Sequence, residues 1–442
     1  MPLTRRYLIR NGLLGAAGVL LAPRAGIAAI AGLNPRATPA RAKAVIQVWL
    51  WGGPSHLDTF DPKPAAGYDY CGPLDKPIPT NVNGIIIGEL LPELAKRADK
   101  YSLIRSLTHG VNAHETAAYE VQTGRKPGDR LVYPGMGAVV SLFKGYGAGY
   151  KGLLPPYIVL TELQGRFSES GFLGPRYAPF ATGGDPAQNP FAVQGVVTPG
   201  ISEQRQRDRR ALLHQLDTLG GLMQGQSTFE AYAQGEDQAY ELILGESGKV
   251  FDLSQEKDDV RERYGRNTLG QSCLVARRLV ERGVPYITIN AKGWDTHKQH
   301  FQAMRQKLPQ LDKGLSSLLQ DLDERGLLDS TIVWCCGEFG RTPRVEWEAP
   351  WNGGRGHWGQ VFSALVAGGG FKGGHVVGAS DAKGEDVKER PVSPADLMGS
   401  MYELLGLDPE NTKLPSPDGQ DLRLTPAGTG SGSGRGRLAE IM

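Results

Sequence analysis

Ala44-Val-Ile-Gln-Val-Trp-Leu-Trp51 runs directly into Gly52-Gly-Pro-Ser-His-Leu-Asp58, and Thr331-Ile-Val-Trp-Cys-Cys336 runs into Gly337-Glu-Phe-Gly-Arg341. Each apolar run is short, rich in β-branched and aromatic residues, and stopped by glycine, the pattern of a strand buried on both faces. An acidic residue follows each stop. Residues 285–290 lead in the same way into Gly293-Trp-Asp-Thr-His297, and residues 100–105, 156–160 and 362–367 are further strand candidates. Helix-length segments separate them at 90–97, 115–123, 136–143, 207–223, 268–282 and 301–325. Strands that alternate with helices predict an α/β fold with a central, mostly parallel sheet and helices on both faces.

At 442 residues the chain is long enough for about three average domains, although large α/β proteins often form one unit. A single domain over residues 44–426 is expected, with an irregular insertion at about 161–206 placed to cover a site. Residues 427–442, which begin rich in Gly and Ser, read as a flexible tail. Lysine plus arginine number 49 against 47 aspartate plus glutamate, a net charge of +2, so bulk charge implies no nucleic-acid or membrane-surface partner. Sixty glycines point to many tight loops. The four cysteines, Cys71, Cys273, Cys335 and Cys336, make no metal-ligand spacing. Cys335 and Cys336 would point to opposite faces of a strand, so all four read as small buried hydrophobes.

The acidic turns carry the chemistry. Asp58, Asp295, His297, Glu338 and His357, the last within Gly354-Arg-Gly-His357, each lie in a glycine-flanked turn beside a strand candidate. Any one of them alone reads as a turn or helix cap. Together they suggest a metal site at the carboxyl edge of the sheet, where open α/β folds place their ligands. Oxygen and nitrogen donors of this kind suit one or two divalent ions such as Zn, Mn, Mg or Ca. His56 and His300 read as hydrogen-bonding neighbours. Arg341 and Arg355 flank the turns, either to clamp an anionic substrate through the guanidinium fork or to pair with the site carboxylates.

Arg5-Arg6 precedes a weakly apolar stretch from Asn11 to Ala22, with Ala29-Ile-Ala31 as a cleavage candidate. Residues 1–31 are similar to a twin-arginine signal peptide, which implies recognition by the twin-arginine translocation machinery and an exported, periplasmic or extracellular, protein. The apolar run is too short for a stable membrane span.

Gly52-Gly-Pro-Ser-His-Leu-Asp-Thr-Phe-Asp61, Arg263-Tyr-Gly-Arg-Asn-Thr-Leu-Gly-Gln-Ser-Cys273, Gly293-Trp-Asp-Thr-His297, Gly337-Glu-Phe-Gly-Arg-Thr-Pro343 and Gly354-Arg-Gly-His357 resemble the strings of the domain of unknown function 1501 family. That family looks like a distant relative of the alkaline phosphatase and sulfatase superfamily, which implies an alkaline phosphatase-like fold. Thr123-Gly-Arg125 resembles the end of the helix that the superfamily's nucleophile opens, and the nucleophile's place is taken by His114, within Asn112-Ala-His-Glu-Thr116. The Cys or Ser that a sulfatase converts to formylglycine is absent there. Glu338-Phe339 stands where relatives have Asp-His. His114 therefore has three readings: a metal ligand, a general base or nucleophile, or a structural histidine. The resemblance implies an exported metal-dependent hydrolase of phosphate or sulfate esters, acting on an anionic small molecule or polysaccharide. The alternative is a non-catalytic exported binding or assembly protein that keeps the fold.

Overall fold

Every residue of Ala44–Leu50 is buried, which places this strand at the centre of the molecule rather than at an edge. The computed structural model describes residues 39–189, 191, 193, 204–205, 208, 212, 246–426 and 436–442. The main strands are β1 (Ala44–Leu50), β2 (Tyr101–Leu107), β3 (Tyr157–Leu160), β4 (Phe180–Ala181), β5 (Tyr286–Ala291), β6 (Thr331–Cys336), β7 (Phe362–Ala367) and β8 (His375–Val377). They form one eight-stranded sheet in the order β8-β2-β7-β6-β1-β5-β3-β4. β1 pairs in parallel with both β5 and β6, so their carboxyl ends coincide. Only β7 runs against its neighbours. The chain leaves β6 at the carboxyl edge, makes the loops that carry Glu338, Arg341 and His357, and enters β7 from that same edge with no crossover helix to turn it round. The expected mostly parallel central sheet is the one observed.

Side chains alternate across a strand, and β1 shows it. Ile46, Val48 and Leu50 join a core with α3 (Thr268–Glu281) and α4 (His300–Glu324), while Val45 and Trp49 join a second core with α1 (His114–Thr123), α2 (Met136–Val140) and α5 (Pro394–Leu404). Helices thus cover both faces. α5 opens with a capping box in which Ser393 and Asp396 each satisfy the other's backbone N–H. The string Arg263–Cys273 is a packing device. The Tyr264 hydroxyl donates to Asp321 of α4 at 3.0 Å, Asn267 caps α3 through Gly270 N–H, and Gln271 bonds the carbonyls of Arg261 and Gly265.

The four cysteines are free and buried, as expected. Residues 161–189 are irregular, with short 3-10 turns, and supply the edge strand β4. The signal-peptide region lies outside the described residues, as does the helix expected over 207–223 apart from Asp208 and Leu212. The flexible tail needs a correction at its end. Leu438 and Ile441 are buried in the second core, Arg437 pairs with Glu403 and Glu410, and Leu438 N–H donates to Ser400, so the terminal residues dock on α5. Glycine and serine preceding them hid two apolar anchors in the sequence. Among the described residues, no helix is long and apolar enough to cross a membrane.

Candidate metal centre

At the carboxyl edge, Gly52 follows β1 with φ of 113°, and a Cβ there would lie 2.2 Å from the Asp295 nitrogen. Only glycine allows the loops after β1 and β5 to approach this closely. Trp294 N–H donates to the Trp51 carbonyl at 3.0 Å, which locks the same two loops. Gly354 plays a similar part, since its Cβ would lie 1.8 Å from the His297 carbonyl oxygen. The glycines around the acidic residues thus serve close approach as well as turning.

Four of the expected residues converge, and His114 joins them. Asp295 Oδ1 lies 2.5 Å from Arg341 Nη2, 3.0 Å from His297 Nε2 and 3.1 Å from His357 Nε2, and Oδ2 lies 3.3 Å from His114 Nε2. His114 Nδ1 sits 2.6 Å from Glu338 Oε1. Glu338 is fully buried and also accepts Gly52 N–H at 3.0 Å. His357 Nδ1 donates to the Asn112 carbonyl at 2.7 Å, which assigns the proton to Nδ1 and leaves the Nε2 lone pair facing the cluster. Its Nε2 lies 2.9 Å from His297 Nε2, so the His297 proton is shared between His357 and Asp295.

His114, Asp295 and His357 each offer one donor atom within 4.8 Å of the others, a group able to hold a metal ion. The chemistry of the set fits a divalent cation. Each imidazole uses Nδ1–H on a protein oxygen and turns Nε2 inward, the arrangement by which second-layer groups fix the tautomer and raise the basicity of a ligating histidine. Glu338 holds His114 as Asn112 holds His357, which places Glu338 behind a ligand. Trp51 stacks on the His114 ring at 5.8 Å, and Phe339 stacks on the His357 ring at 4.6 Å. These apolar walls limit water around the imidazoles and so strengthen the interactions inside.

The electrostatics follow. Hydrogen bonds to Asp295 and then Glu338 push the His114 imidazole up to about 9, against burial. Burial would raise the Asp295 carboxyl, but His114, His357 and Arg341 together hold it well below the usual carboxylate range. Burial lowers His297, outweighing the attraction of Asp295.

Asp58 is placed elsewhere, and its expected role as a ligand gives way to a buried ion pair. Its Oδ2 lies 3.1 Å from Arg355 Nε and 2.8 Å from His300 Nε2, with all three side chains fully enclosed. Burial would raise this carboxyl, yet Arg355 and the His300 hydrogen bond hold it down to about 2. Thr296 in turn lies 2.6 Å from His300 Nδ1. His300 is thus the hydrogen-bonding neighbour expected of it, and so is His56, whose Nε2 donates to the Gly384 carbonyl at 2.8 Å.

Both arginines are also corrected as substrate clamps, because neither guanidinium reaches solvent. Arg355 spends its nitrogens on Asp58 and on the carbonyls of Thr342, Pro343 and Tyr70. Arg341 bonds the carbonyls of Gly52, Gly53 and Arg355 and pairs with Asp295, which is the alternative role allowed for it. Sequence reasoning missed Asn112 and His109. Asn112 Oδ1 also accepts Gly359 N–H at 2.7 Å, and His109 Nε2 donates to the Glu338 carbonyl at 2.7 Å, with burial pushing that ring down to about 4. Their signal was nearness to His114 in the chain. The insertion reaches the wall of the site, where Arg166 N–H donates to Glu115 Oε2 at 3.1 Å and a Cβ on Gly165 would meet the Trp51 ring at 2.7 Å.

The solved structures that this chain resembles include members of the alkaline phosphatase and sulfatase superfamily. The C-terminal periplasmic domain of EcEptC from Escherichia coli, in complex with Zn, is 11% identical, with 90% of each chain covered and a TM-score of 0.38. The PsFucS1 sulfatase from Pseudoalteromonas sp. is 13% identical over 87% of this chain and 72% of that one, with a TM-score of 0.37. A protein in the alkaline phosphatase superfamily from Vibrio parahaemolyticus is 10% identical over 85% and 69%, with a TM-score of 0.35. Likeness at these levels carries no argument about activity. Cysteine–tRNA ligase 1 of Photobacterium profundum is 29% identical over 129 residues, and the match spans 28% of this chain and 26% of that protein. The family model described as protein of unknown function (DUF1501) matches residues 42–430, and the chain belongs to that family.

Proposed function

We propose that the protein is an exported, divalent-metal-dependent hydrolase of phosphate or sulfate esters. The observation that carries this reading is the inward-facing set His114 Nε2, His357 Nε2 and the Asp295 carboxylate, with both imidazoles fixed from behind. A divalent ion held there supplies Lewis acidity towards an ester oxygen and lowers the pKa of a water molecule. Asp295 orients three histidines at once, and Glu338 keeps the His114 proton on Nδ1. His297 is about two-fifths exposed and sits on both Asp295 and His357, so its Nε2 proton is placed to pass between the cluster and a leaving group. The four cysteines are buried and His114 is committed to two carboxylates, which favours direct attack by water over a covalent enzyme intermediate.

One observation favours the rival reading, a non-catalytic exported binding or assembly protein. With Arg341 and Arg355 enclosed, neither guanidinium can meet charge developing on a transferred group. Metal analysis of the purified protein, together with turnover of aryl phosphate and aryl sulfate esters, separates the two. Stoichiometric metal that falls in Asp295→Asn and His357→Ala, with turnover falling in parallel and in chelator, is the expected result. Protein that takes up no metal under any loading condition would end the hydrolase reading.

A further inference from the structure

Residues 292–297 carry Asp295 and His297 and have no regular secondary structure, so the place of the Asp295 carboxylate depends on what grips this loop. One grip is the Trp294 N–H on the Trp51 carbonyl. Another comes from α4. His300, Met304, Lys307 and Leu311 follow one another at helical spacing and share one face of that helix. His300, Met304 and Leu311 are fully buried, and Lys307 is a half-buried cation in the same stripe. Its ammonium donates to the Lys292 carbonyl at 2.9 Å and lies 5.8 Å from the centre of the Trp294 ring. Between those two residues, a Cβ on Gly293 would come within 2.8 Å of Lys307 Nζ, at φ of 86°. The ammonium thus rests on the three consecutive residues that precede Asp295, and glycine at 293 clears the space for it.

A lysine ordinarily buries its stem and leaves its charge in water. Burial lowers the pKa of Lys307, and no carboxylate among the described residues pairs with it. Keeping a cation there has a cost that an exposed position would avoid. What the ammonium meets instead is main chain and an indole face, through a charge-assisted hydrogen bond and a cation–π contact. The Lys292 side chain pairs with Glu162, so the loop is also tied at its start to the residues after β3. Asp295 in turn meets Arg341 and three histidines through two oxygens. A shift of a fraction of an ångström in its loop changes all of those contacts, and sites of this kind depend on such precision.

We propose that Lys307 is a positioning residue of the metal centre, whose ammonium fixes the main chain of Lys292–Trp294 and so sets where the Asp295 carboxylate meets an ion. The inference rests on the metal-binding reading and is independent of ester hydrolysis. Cobalt(II) is the probe, because its visible absorption reports ligand geometry as well as binding. The full chain is compared with Lys307→Met, Lys307→Cys and Lys144→Met, and thermal melts establish that each is folded. Lys144, on the segment after α2, is also lowered by burial and serves as the control. The four native cysteines are buried, so 2-bromoethylamine alkylates the introduced thiol and rebuilds an ammonium in which sulfur replaces one methylene. The expected result is cobalt binding about 10–100-fold weaker in Lys307→Met and unmodified Lys307→Cys, with an altered spectrum, and recovery of both on aminoethylation. Lys144→Met should match the wild type. Unchanged affinity and spectrum in Lys307→Met, losses that aminoethylation leaves in place, or equal losses in Lys144→Met overturn the inference. Should the Lys307 variants unfold, Gly293→Ala tests the same contact from the loop, since its Cβ displaces the ammonium. It should weaken cobalt binding where Gly84→Ala, at φ of 83° with nothing within 4 Å, does not, and equal affinity in those two variants also overturns the inference. Wild-type protein that takes up no cobalt removes the metal-binding reading and this inference with it, whereas cobalt binding that Lys307→Met leaves untouched removes the inference alone.

Discussion

Asp58→Asn tests whether the carboxylate after β1 holds a metal or holds the fold. In the structure its charge is spent on Arg355 Nε at 3.1 Å and on His300 Nε2 at 2.8 Å, with no side-chain exposure in any of the three. Asparagine keeps an acceptor for His300 but leaves the guanidinium uncompensated, and removing one partner of such a buried pair costs about 3–5 kcal/mol. Linkage offers a second route to the magnitude. A carboxyl held at about 2 in the folded state, against about 3.9 in the unfolded chain, contributes roughly 2.5 kcal/mol. Because the folded value is depressed, that stability is present above the unfolded value and is lost as pH falls from about 4 through 2. At roughly 2 cal/mol/K per residue over the 345 described residues, a loss of about 3 kcal/mol lowers Tm by roughly 4 °C. Thermal melts at neutral pH and a pH series from about 2 to 5 read both effects, and the variant's acid slope should be the shallower by one proton. Metal content of the folded variant should match the wild type. An unchanged Tm with metal lost would refute the structural assignment and return Asp58 to the ligand set.

Glu338→Gln keeps the side chain's shape but weakens its hold on His114 Nδ1, so metal affinity should fall about 10–100-fold without loss of the fold, as measured by competition with a chelating dye; an unchanged affinity would mean that the buried carboxylate does not support the ligand. Gly52→Ala forces a Cβ to within 2.2 Å of the Asp295 nitrogen at φ of 113°, so it should lower both Tm and metal content, whereas Gly84→Ala, also at positive φ but with nothing within 4 Å, should leave metal content alone. Comparable metal loss in both would show that backbone strain rather than the loop contact matters. Replacing Arg5 and Arg6 by lysine should leave the protein in the cytoplasm with its leader attached, and normal export of that variant would remove the twin-arginine assignment.

The strands were legible because burial on both faces demands uninterrupted apolar residues, and Ala44–Leu50 and Thr331–Cys336 show this without reference to the rest of the chain. The glycine that stops each strand and the acidic or imidazole residue beyond it were equally local. They located Asp295, His297, Glu338 and His357 at one edge of the sheet, whereas His114 came from the resemblance, at the head of the helix that ends in Thr123-Gly-Arg125. The partner of each carboxylate was not legible. Asp58 and Asp295 occupy similar turns after neighbouring strands, yet Asp58 faces Arg355 and His300 inside the fold while Asp295 faces His114, His297 and His357 at the surface. A turn sequence specifies how the backbone bends, but a carboxylate's role depends on which charges the folded chain brings within a few ångströms. Those charges come from residues hundreds of positions away. For the same reason Arg341 and Arg355, exposed cations by type, became enclosed props once the carbonyls of distant loops closed around them. Local pattern determined where functional groups collect; tertiary packing decided which of them face one another, because electrostatic and hydrogen-bonding partners are set by distance in space.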